Sequence, residues 1–143
     1  MYIERWRLRG PRWETAVSLA GPASNALLAL ILGLVLRFTP IASSNFGPGL
    51  AFLGLLQVSA VVLNLLPVPP FDGFGALEPY LPMAWRMKLA ETRGMLSILV
   101  FVVLWSVPFV YNAFWNIIFF LAQTVGVPLQ TAGQGLSQFL FWR

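Results

Sequence analysis

The chain has 143 residues, of which 58% are hydrophobic and 10% charged, and its mean hydropathy is +0.76. Soluble domains carry about 25% charged residues, so an ordinary soluble domain is excluded and an all-α, multi-pass membrane protein is expected. Histidine and cysteine are both absent, which rules out disulfides, iron–sulfur clusters and a thiol nucleophile within these residues. The net charge of +4 is scattered at the ends of apolar segments. Topology and anionic lipid account for that pattern, and it does not suggest nucleic-acid binding.

Residues 1–14 are polar and basic. Arg5, Arg7, Arg9 and Arg12 are interleaved with Trp6, Leu8 and Trp13, as in an interfacial segment with indole rings at headgroup depth. The first span is expected at 15–37. Its uncharged stretch from Thr15 to Leu36 would extend roughly 33 Å as a helix, enough to cross a bilayer. Pro40, Ser43, Ser44, Asn45, Gly47 and Pro48 mark an exposed connection, and a second span follows at 49–66.

The segment 67–82 contains five prolines and two glycines and cannot form one continuous helix. Residues 83–93 are expected as a short amphipathic helix, with Arg86, Lys88, Glu91 and Arg93 toward water. The remainder, 94–142, has no charge. A third span near Leu96–Tyr111 is expected there, followed by a hydrophobic hairpin or surface helix. The basic flanks before span one and after span two fall on one side, which the positive-inside rule makes cytoplasmic. The N-terminus is therefore expected in the cytoplasm, with the protein in the cell membrane.

Two motifs stand out. Span one contains Gly21-Pro22-Ala23-Ser24-Asn25. Pro22 cannot donate to the carbonyl of Ser18. Ala16, Ala20 and Ser24 form a flat stripe suited to close helix contact, with Asn25 placed to hydrogen-bond across it. Packing alone would explain this motif.

The second motif runs from Asn64, at the end of span two, through Pro67, Pro69 and Pro70 to Asp72-Gly73. Between Glu14 and Glu78 the only charged residues are Arg37 and Asp72. A carboxylate beside lipid-spanning sequence usually faces a partner, a cavity or an ion. The prolines hold the backbone extended, and Gly73 is expected to let it turn directly after the carboxylate. The plainer alternative is an Asx turn, which Asp-Gly favours. Glu78 is expected at the membrane interface.

In this order and on these spans, Gly21-Pro22-x-x-Asn25 and Asn64-x-x-Pro67-x-x-x-x-Asp72-Gly73 resemble the site-2 protease family, M50-like intramembrane zinc metalloproteases. The resemblance covers about Arg9 to Arg93. It implies hydrolysis of peptide bonds in or near the transmembrane segments of protein substrates, by a zinc-bound water. Such a site takes three protein ligands: two histidines of a His-Glu-x-x-His helix, whose glutamate is the general base, and an aspartate that matches Asp72. The asparagine matching Asn64 would hold or polarise the scissile carbonyl. Phe74 stands where the family often has a second glycine.

The His-Glu-x-x-His helix has no counterpart in these residues. The chain therefore resembles the carboxy-terminal portion of such a protease, as a truncated gene, a split gene or a degenerate copy would. Alone it is expected neither to hold zinc tightly nor to cleave, and to need a separately encoded part carrying the missing motif. The alternatives are a non-catalytic module that binds transmembrane partners, or a plain structural membrane protein.

Overall fold

The computed structural model describes residues 10–140. It is all-helical: α1 (Pro11–Phe38), α2 (Gly47–Asn64), α3 (Asp72–Leu77), α4 (Met83–Ser106), α5 (Pro108–Val125) and α6 (Leu129–Phe139), with 3₁₀ turns at Pro40–Ser43 and Glu78–Tyr80. Among the described residues, α1, α2 and α4 are each long and apolar enough to cross a membrane. The α5–α6 pair qualifies only when taken together, and it is bent by 114°.

The helix boundaries follow from local chemistry. α1 begins with Pro11 at its first position, where a missing N–H costs nothing. Glu14 in its first turn and Arg37 in its last complement the helix dipole. α4 ends at Ser106 because the residue before a proline disfavours helical angles: Val107 is extended, and Pro108 opens α5. Gly126, at φ 94°, ends α5 in the left-handed conformation open to glycine.

Two expectations are corrected here. Residues 83–93 are not a separate amphipathic helix, and no third span starts at Leu96. α4 is one helix from Met83 to Ser106, because a single glycine such as Gly94 weakens a helix by about 1 kcal/mol without ending it. The span also stops short of Tyr111. Of the expected interfacial segment 1–14, residues 1–9 lie outside the described range, and Pro11 to Glu14 are the first turn of α1.

The chain contacts divide the described residues into two units, 10–23 with 63–111 and 24–62 with 112–140. In the second unit, Ala29, Val58, Ile118, Ala122 and Val127 form a buried core, and Leu36, Ala51 and Ala132 a smaller one. Backbones touch there: a Cβ on Gly33 would collide with the Val125 carbonyl, and one on Gly135 with that of Pro48. Small residues allow the close approach that packed helices need without a hydrophobic drive from water.

In the first unit, the Pro-rich segment lies along the beginning of α1. Thr15 Oγ1 donates to the Ala76 carbonyl at 2.9 Å, and Ser18 lies against Gly75. Buried Phe71 meets Phe101 of α4 edge-on at 6.2 Å.

Candidate functional site

Asp72 is the first residue of α3. Phe71 caps that helix in an extended conformation (φ −74°, ψ 157°), and the N–H groups of Phe74 and Gly75 both bond to its carbonyl. Phe71, Gly73, Phe74 and Ala76 are buried around a half-buried Asp72. The Asp72 Oδ2 atom lies 3.1 Å from the point a Cβ on Gly21 would occupy. The glycine of the Gly-Pro motif therefore lets the carboxylate lie directly on the α1 backbone. Within the described residues, the Asp72 side chain makes no hydrogen bond or ion pair.

The geometry corrects four expectations. Gly73 does not turn the chain: it has no positive φ and sits within α3. Its role is steric, since a Cβ there would collide with the carbonyl of Leu65 just past α2. The Asx-turn alternative lacks its defining hydrogen bond among the described residues. The face of α1 that receives α3 is Thr15, Ser18 and Gly21, not the Ala16–Ala20–Ser24 stripe, which is exposed.

The fourth correction concerns Glu78, which is buried at 4% exposure rather than interfacial. It accepts a hydrogen bond from Arg93 Nη2 at 2.5 Å. The sequence carried one signal of this pair: Glu78 is the only acid in 67–82 besides Asp72.

The other motif residues are spread more widely. Asn64 ends α2, half-buried, and no hydrogen bond joins it to Asp72. Pro22 is buried inside α1, Asn25 is half-buried in the part of α1 that belongs to the second unit, and Pro67 is exposed. The structure thus brings Gly21, Asp72 and Gly73 together in one place.

The donor set can be tested against zinc. A catalytic zinc site takes about three protein ligands and an open position. Among the described residues no three His, Cys, Asp or Glu side chains come together. Glu78 is engaged by Arg93, and Glu14 faces Arg86 at 3.9 Å. Asp72 is the one motif carboxylate turned to an α-helical backbone with no counter-charge, so these residues fit one zinc ligand and not a whole site.

A multi-span helical protein with a lone carboxylate laid on a Gly-Pro helix is the class that these features define. Comparison with known proteins gives the particular relatives. The chain is 44% identical over 131 residues to "Putative zinc metalloprotease Rip2" of Mycolicibacterium smegmatis, covering 90% of this chain and 50% of that protein. It is 36% identical over 144 residues to the protein of the same name from Mycobacterium tuberculosis, covering 99% and 54%. It is 31% identical over 122 residues to "Putative zinc metalloprotease YwhC" of Bacillus subtilis, covering 80% and 53%. No family model matches, and no solved structure does. Over most of its length the chain is thus homologous to proteins named "putative zinc metalloprotease", of the site-2 protease family. The chain spans about half the length of the curated relatives it matches.

Proposed function

We propose that this chain supplies the aspartate-bearing part of a site-2-type intramembrane zinc protease, acting on transmembrane protein substrates. Asp72 is one zinc ligand, and Asn64 holds or polarises the substrate carbonyl. The other ligands and the general base come from residues outside these 143. Bound zinc would supply a Lewis acid and an activated water. The chain's own residues set where one ligand stands: Gly21 clears the space, and Gly73 lets α3 close on the end of α2. The prolines lead into it not as an extended strut but as a turn through Pro69-Pro70, with the Phe71 N–H on the Val68 carbonyl at 3.1 Å.

The observation that carries this reading is the Asp72 carboxylate resting on Gly21 with no partner among the described residues, in a chain whose relatives are named zinc metalloproteases. Desolvating a carboxylate without a counter-charge is costly, and a metal ion would offset that cost. The test is reconstitution with a chain carrying His-Glu-x-x-His. The pair should hold one equivalent of zinc by elemental analysis and cleave a transmembrane substrate, and both should be lost in Asp72→Ala. Zinc retained in Asp72→Ala would sink the assignment.

A second reading, a non-catalytic module that binds transmembrane helices, is favoured by the absence of histidine from these residues. It predicts substrate capture with no zinc in the reconstituted pair.

The protein is further proposed to lie in the cell membrane with its N-terminus cytoplasmic. The approach of Glu14 to Arg86 supports having the beginnings of α1 and α4 at one membrane face. Cysteines placed at Ser43 and at Thr92 should then label from opposite sides of intact cells. Labelling from one side would remove the two-span hairpin.

A further inference from the structure

The segment that carries Asp72 cannot hold itself in place. α3 is six residues long, far below the length at which an isolated helix is stable, and irregular Pro-rich backbone flanks it. Its position must come from its neighbours. On the α1 side it has the Thr15–Ala76 hydrogen bond and the Ser18–Gly75 contact. On the α4 side it has the Phe71–Phe101 ring contact and, directly after α3, the bond from Arg93 to buried Glu78. Among the described residues, the Arg93 Nε is buried with no hydrogen-bond partner, so the guanidinium is committed through Nη2 to Glu78.

Only the Glu78 end of this pair is buried, the Arg93 side chain being 40% exposed. Such a pair adds little net stability, because desolvation of the carboxylate offsets the attraction, and its consequence is geometric. We infer that Glu78 and Arg93 are a positioning pair, tying the Asp72 segment to α4 so that the carboxylate stays on Gly21. Neither is assigned a place among the zinc ligands or the substrate contacts. The inference rests on the zinc-ligand role proposed for Asp72, but its first test does not.

That test uses the absence of native cysteine. A Cβ on Gly75 would stand 3.5 Å from the Ser18 Cβ, within the separation of a disulfide. Ser18→Cys with Gly75→Cys therefore makes a crosslink that reports docking of α3 on α1. A control in the second unit is Leu32→Cys with Gly54→Cys, at a Cβ separation of 3.8 Å.

In the double variant Glu78→Gln/Arg93→Met, which removes both charges of this pair, oxidation of the 18–75 pair should slow severalfold while the 32–54 pair forms at its usual rate. A variant that merely lost stability would slow both. If the double variant does not insert, Arg93→Lys keeps the charge and loses the planar fork, and should slow the 18–75 crosslink alone. Oxidation of the 18–75 pair at the unmodified rate, in whichever variant inserts, overturns the positioning role.

In the reconstituted pair, the same substitutions should weaken zinc retention about tenfold, the effect of losing an outer partner of a ligand. Zinc unaffected while the crosslink slows would leave the positioning pair standing and count against Asp72 as a ligand.

Discussion

The second unit is built from helices in backbone contact, with Gly33 on the Val125 carbonyl and Gly135 on that of Pro48. Its described residues contain one charged side chain, Arg37. The first unit contains Asp72, the Glu78–Arg93 and Glu14–Arg86 pairs, and a stretch of Pro-rich irregular backbone. The difference separates two tasks within one small chain. Apolar close packing gives a stable helical frame but no chemistry, whereas irregular backbone and charge are tolerated at membrane depth only where protein covers them. Substitutions in the two units should therefore fail in different ways.

The largest expected effect is on activity, in the first unit. Asp72→Ala should abolish zinc binding and cleavage in the reconstituted protein. Against the metal-free unmodified protein it should leave thermal stability no lower, because Asp72 makes no hydrogen bond to lose among the described residues and its half-buried carboxylate has no counter-charge there. Zinc analysis and a melting curve on the same sample check both halves. A large drop in stability would make Asp72 a structural residue and erase the contrast.

In the second unit the expected loss is of stability. Gly33→Val places a branched side chain where even a Cβ collides with the Val125 carbonyl, and overpacking of this kind costs about 2–3 kcal/mol. Denaturation in detergent should show the fall. A neutral result would mean that the contact between α1 and the end of α5 is looser than it looks.

These outcomes track what could be read from sequence. The apolar runs that make up most of α1 and α2 are visible because nothing but Arg37 is charged between Thr15 and Asn64, and Pro108 marks a break because it lacks a donor. The contact faces were hidden. Ala16, Ala20 and Ser24 offer as good a stripe by spacing as Thr15, Ser18 and Gly21, and only the path of 67–82 decides between them. The reason for Gly73 was hidden for the same cause: a glycine in a Pro-rich segment suggests a turn, while its actual constraint is the carbonyl of Leu65, eight positions earlier. Glu78 was misplaced because its cation lies on a helix that sequence divided at Gly94.

A smaller effect is expected where the motif helix meets the carboxylate. Gly21→Ala puts a methyl group 3.1 Å from Asp72 Oδ2. That contact is tight enough to move a side chain and too mild to unfold a helix. Zinc affinity should fall about tenfold, as when a ligand's support is disturbed, with stability changed by under about 1 kcal/mol. Unchanged affinity would mean that the Asp72 carboxylate does not need its place on Gly21.

The smallest effect should be a gain, and it sets an open glycine of the first unit against the packed ones of the second. Gly94 lies in the interior of α4, and a Cβ there would meet nothing within 4 Å. Its φ is not positive, so alanine adopts the same backbone without strain. Alanine also reduces the freedom of the unfolded chain and favours the helix, worth about 0.5–1 kcal/mol. Gly94→Ala should therefore raise the melting temperature slightly while the 18–75 crosslink forms at the same rate. The paired substitution Gly54→Ala should lower it, because a Cβ there comes within 2.9 Å of the Val127 side chain. A loss of stability in Gly94→Ala would show that α4 bends or packs at this residue, and would restore the division at Gly94 that the sequence suggested.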